Sequence, residues 1–206
     1  MVANPMFLEE DIIPERGVVF EEFRRSIDSP NQFAFAKIQE TAFSGAYEHQ
    51  ILGREDTIKN FSQEQLHFFR NQNYNLSNAL LVVAGDASNK EELIKEIERY
   101  QLPDGKKSEF PEFQLKPKAK VSFHQKAVGM ANITMVIQAP KHNTAEAASE
   151  DLAMNCLGYG ETSRLFKALV LDKAIANVSS ASTMFMAHGG AHFIRLVCPH
   201  KNLDEV

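Results

Sequence analysis

The chain has 206 residues, 44% of them hydrophobic, which is enough to bury a real core in one or two domains. A formal charge of -5 argues against nucleic acid or an anionic membrane surface as partner. No apolar run reaches the roughly eighteen residues of a bilayer span, and the first residues, Met1-Val2-Ala3-Asn4-Pro5-Met6, lack the basic and apolar regions of a signal peptide. Cys156 and Cys198 follow no metal-site spacing and read as small apolar side chains.

Residues 7 to 29 predict a helix, with Pro14 near its start and Ser29-Pro30 closing it. On a helical plot at about 100° per residue, Ile12, Val19, Phe20, Phe23 and Ile27 share one apolar arc, and Val18 stands alone opposite. Glu15 and Glu22, seven apart, share a face in the gap between Val18 and Val19. Glu21 points away from them, within reach of Arg24 and Arg25. Carboxylates set between valines would need compensation if buried, from a metal ion or a base. Pairs at this spacing are also common on solvated helix faces.

A second helix is expected from Asn31 to Phe43, ended by Gly45, followed by a loop over residues 47–53 in which His49 reads as a surface residue. Ser62 and Gln65 have the capping-box spacing and open a helix through Arg70. Residues 75–78 turn the chain into Ala79-Leu-Leu-Val-Val-Ala84, a continuous apolar run that predicts a fully buried strand. Gly85-Asp86 ends it without the glycine spacing or lysine of a phosphate loop, and Asn89 with Glu92 starts a helix through Tyr100.

Residues 102–118 carry Pro103, Gly105, Pro111 and Pro117 with no period, and read as a linker. Strands are expected at 121–125 and 130–138, then a turn, then a helix capped by Thr144 and running to Leu157. Thr162 or Ser163 can cap the next helix. Strands near 175–186 and 191–197 follow, joined at His188-Gly189-Gly190. His188 and His192 have the i, i+4 spacing of a helical zinc pair. The glycines between strand-like runs predict a hairpin instead, so no metal site is expected there. A weak repeat relates residues 80–93 to 193–206, each a strand, a polar turn and a helix start, and the second copy reads as a repeat cut short.

Four stretches resemble the zinc metallopeptidase family M16, which includes pitrilysin, insulin-degrading enzyme and the mitochondrial processing peptidases. They are Glu15-Arg-Gly-Val-Val-Phe-Glu-Glu22, the loop ending Leu52-Gly53, Tyr74 to Asp86, and Gly158 to Phe166. The resemblance implies an α+β fold of repeated lobes, each a mostly antiparallel sheet packed on helices. Residues 1–103 would be the later part of one lobe, 104–117 a linker, and 118–206 the first part of the next. It further implies zinc as cofactor and a peptide or small-protein substrate hydrolysed by metal-activated water, with Glu22 as metal ligand and Glu15 supporting it from behind. The family's His-x-x-Glu-His motif does not occur in this sequence. The chain is therefore expected to be inactive alone, as a fragment of an endopeptidase. The alternative the resemblance leaves open is a non-catalytic partner or structural subunit. Val170 and Asn177 stand where some family members carry a substrate-contacting Arg and Tyr.

Overall fold

The computed structural model describes residues 4–86, 88–99, 103–117 and 121–206. By Cα proximity the chain forms two compact units, one of Met1–Arg24 with Leu52–Glu109, the other of Arg25–Ile51 with Phe110–Val206. The two are interleaved along the sequence, the chain passing from the first to the second within one helix.

That helix is α1 (Glu9–Asp28), with Glu9, Glu10 and Asp11 in its first turn, where carboxylates meet the positive end of the helix dipole. In the first unit α1 buries Ile12 and Phe23, both on the apolar arc that the periodicity predicts. Two further helices belong to this unit's described centre, α3 (Glu55–Asn60), with Ile58 buried, and α4 (Gln63–Asn73). The capping box at the start of α4 forms as expected: Gln65 N donates to Ser62 Oγ at 3.3 Å and Ser62 N to Gln65 Oε1 at 2.8 Å. Arg16 ties α1 to the chain ahead of α4, donating to the Phe61 carbonyl at 2.7 Å with its guanidinium 5.0 Å from the ring centre. Gln63 donates to the Phe7 carbonyl at 2.8 Å, and the Phe7 ring meets His67 edge-on at 5.0 Å.

Residues 103–109 are clasped against the turn that follows α4. Leu76 N donates to the Pro103 carbonyl at 3.1 Å, Ser77 Oγ to the Gly105 carbonyl at 2.7 Å, and Ser108 N to Asn78 Oδ1 at 2.7 Å. Asn75, only 1% exposed, packs so closely under Gly105 that a Cβ there would fall 2.4 Å from its side chain.

The apolar run at 79–84 departs from expectation. It carries no strand, and Leu80, Leu81, Val82 and Val83 are 88%, 63%, 76% and 53% exposed. A strand needs a neighbour for its backbone N–H and C=O groups. The described residues of this unit contain no strand to supply one. The helix that follows, α5 (Lys90–Glu98), starts at Asn89 without a side-chain cap.

The second unit is built on a three-stranded antiparallel sheet in the order β1 (Ala131–Ala139), β3 (Gly189–Cys198), β2 (Val178–Met186). β2 and β3 form the hairpin expected at His188, with Met186 paired to Gly189, and β1 pairs with β3 from Ala131↔Cys198 to Ala139↔Gly190. Alternation along the strands sends residues to two faces. One face takes α6 (Ala145–Gly158), which starts with the expected cap, Ala147 N donating to Thr144 Oγ1 at 3.1 Å. At its far end, a Cβ on Gly158 would fall 2.2 Å from Ala181 N, so glycine is what lets helix and strand approach.

The other face takes α2 (Pro30–Ala42), capped by Ser29. Phe43, just past α2, stands edge-on to Phe113 at 4.8 Å and to Phe193 of β3 at 6.4 Å; Phe43, Phe113 and Ala191 form the buried centre, and the half-buried Phe193 packs against it. Phe113 lies in the stretch that reads as a linker, yet it is 2% exposed. Its amide donates to the His188 carbonyl at 3.0 Å, and the isolated bridge Phe43↔Leu115 continues the strap.

Two other expectations change here. No strand forms at 121–125, where Val121 and Phe123 are 84% and 87% exposed: alternation alone does not provide a pairing partner. The helix after Gly160 is π-helical over Phe166–Asp172, and Ser163, just ahead of the helical turn at 164, is 4% exposed with no described partner for its hydroxyl, so it makes no side-chain cap. Among the described residues no helix is long and apolar enough to cross a membrane.

Candidate functional site

Glu15, Glu21 and Glu22 of α1 are all exposed to solvent. Glu21 pairs with Arg24 at 3.4 Å, as its place on the helix predicts, with both side chains about 60% exposed (59% and 60%). Arg24 also lies over the Phe20 ring at 4.6 Å, and Lys59 approaches the same ring at 4.6 Å. Glu15 and Glu22 make no ion pair with any described residue. Val18, which flanks the pair on the plot, is 52% exposed, and both glutamates face solvent, so within this chain neither carboxylate is desolvated and neither requires a counter-charge.

Among the described residues, no three His, Cys, Asp or Glu side chains converge as a metal site would require. The histidines singled out by spacing are held elsewhere. His49 sits at the surface 3.9 Å from Glu48, whose other oxygen meets Lys116 at 3.0 Å. That Lys116 ammonium, by hydrogen bond and by charge, holds the Glu48 carboxyl below the usual carboxylate range. His188 lies in the β2–β3 turn and stacks with Phe110, ring centres 6.3 Å apart. His192 points instead to the α6 face of the sheet and is 6% exposed.

The arrangement that spacing does not reveal is around His192. Its Nε2 is 2.7 Å from Glu150 Oε2 on α6, and its Nδ1 is 2.8 Å from Thr183 Oγ1 on β2. An ionised carboxylate can only accept, so Nε2 carries the proton toward Glu150. In the neutral ring Nδ1 then accepts from the Thr183 hydroxyl. Both polar atoms of a buried ring are thus satisfied, and the network ties helix to sheet. Thr183 and His192 are cross-strand partners in the β2–β3 hairpin, but Glu150 comes from α6, and no local pattern brings it to them. Val170 lies in the π-helical segment, and the Asn177 backbone amide donates to the Val197 carbonyl at 2.8 Å.

Against this geometry, a sequence model of the peptidase M16 inactive domain matches residues 60–206. The chain belongs to the M16 peptidase family. An uncharacterized zinc protease of Rickettsia felis is 26% identical over 212 residues, covering 99% of this chain and 50% of its own length. Another from Rickettsia bellii is 33% identical over 113 residues, covering 53% of this chain and 27% of its own. Among solved structures, the peptidase M16 inactive domain from Pseudomonas fluorescens superposes with a TM-score of 0.80 at 17% identity, covering 96% of this chain and 49% of that one. The chain spans about half the length of the Rickettsia felis relative and of the Pseudomonas fluorescens structure. Its α+β architecture, helices with a small antiparallel sheet, is that of the M16 inactive-domain fold. The family match begins at residue 60, so α1 with Glu15 and Glu22 lies ahead of it, although the alignment to the Rickettsia felis protein runs over nearly the whole chain.

Proposed function

We propose that this chain is the inactive-domain part of a longer M16 zinc endopeptidase acting on peptides or small proteins, and that α1 lends that protein one metal ligand, Glu22, supported by Glu15. What carries the reading is the likeness of Glu15-Arg-Gly-Val-Val-Phe-Glu-Glu22 to the family's ligand-bearing helix, and the exposure of α1 is compatible with it. Glu22 stands exposed and without an ion pair to any described residue, while its neighbour Glu21 is matched by Arg24. The relatives' description as zinc proteases supports the choice of metal.

The chain does not hold zinc unaided in this reading. A catalytic zinc takes three protein ligands, and Glu22 is one, with no His-x-x-Glu-His in the sequence to add the others. Hydrolysis then belongs to the longer protein and the isolated chain is silent. In the same proposal residues 1–103 and 118–206 belong to successive lobes joined by 104–117. The absence of helix or strand from 103–117, apart from the bridge at Leu115, supports the join. A partner lobe or subunit of the same family completes the assembly.

The description of the matched domain as inactive favours a second reading, a non-catalytic M16 partner or structural subunit. Three variants of the full-length protein separate the two, with zinc content and peptide cleavage measured together. Glu22→Gln keeps volume and removes charge, so both readouts collapse. Glu15→Gln costs about 10–100-fold in metal affinity or activity, and Glu21→Gln changes neither. A zinc-replete, active Glu22→Gln enzyme overturns the ligand assignment. A wild-type protein with neither zinc nor activity selects the second reading.

A further inference from the structure

We draw no further inference here: the strongest candidate, the exposed apolar run at residues 80–83 in the first compact unit, is an unpaired segment, and nothing in the structure shows what covers it.

Discussion

Phe43→Ala tests the packing of the second unit most directly. The side chain is 1% exposed and sits at the meeting point of three chain segments, edge-on to Phe113 at 4.8 Å and to Phe35 and Phe193 at 6.4 Å each. Truncating a buried phenylalanine costs about 3–5 kcal/mol from lost transfer energy and the cavity left behind. The loss of aromatic edge contacts, about 0.5–1.5 kcal/mol per pair beyond area, places this site toward the top of that range. The neighbours are not free to collapse into the gap: the Phe113 backbone is pinned by its bond to the His188 carbonyl, and Phe193 by strand pairing to Val136 and Ser182. With a urea slope of about 2 kcal/mol/M, the midpoint of unfolding should fall by roughly 2 M, followed by far-UV circular dichroism. Phe68→Ala is the control, since Phe68 is 67% exposed and its truncation should stay within about 0.5 kcal/mol. A Phe43→Ala midpoint indistinguishable from that of Phe68→Ala would refute the aromatic core as described.

Three further outcomes follow from single contacts. Gly158→Ala drives a Cβ into Ala181 backbone at 2.2 Å and should destabilise by about 1–3 kcal/mol; Gly17→Ala on α1 meets nothing within 4 Å and should stabilise by about 0.5–1 kcal/mol, both read by urea unfolding. Thr183→Val keeps the shape but leaves the buried Nδ1 of His192 without its partner, an expected loss of about 1–3 kcal/mol in the same assay; a loss no larger than that of an exposed substitution would show the bond to be dispensable. Lys116→Gln should let the Glu48 carboxyl titrate nearer the ordinary carboxylate range, followed by NMR of its carboxyl carbon. Because that carboxyl is depressed in the folded chain, its contribution to stability is present above the unfolded pKa, is lost as pH falls through the folded one, and should flatten in the variant.

What was legible in the sequence is what local chemistry decides. The Ser62 and Thr144 caps, the turn at Ser29-Pro30 and the β2–β3 hairpin each depend on residues within a few positions of one another, and each forms. The family and its α+β fold were legible through short stretches with a resemblance, and the domain match supports that reading independently. What failed were the statements that need a distant partner. A continuous apolar run satisfies the pattern of a buried strand at 79–84, but pattern records only the run's own suitability and not whether a sheet edge is present to receive it. Residues 121–125 failed for the same reason. The core is illegible for the complementary reason: Phe43, Phe113 and Phe193 come from three segments, and one of them lies in a proline-bearing stretch with no period to mark it as buried. The π-helical segment escapes because templates at i, i+3 and i+4 do not contain its i, i+5 bonds.

The same distinction governs the carboxylates of α1. Burial of Glu15 and Glu22 between valines would have been a physical demand for a cation, readable from helix geometry and independent of any resemblance. In this chain both stand in water, where an ionised carboxylate is at little cost and asks for no partner. Among the described residues, the pairing of Glu21 with Arg24 is what sets one of the three apart. A metal ligand contributed across a boundary has just this character: its remaining donors, and the low-dielectric walls that strengthen charge on charge, come from residues it does not share an element with. The assignment of Glu22 thus stands on position within the family motif and on availability, so the charge-removing variant, made where the other donors are present, is the experiment with the power to decide it.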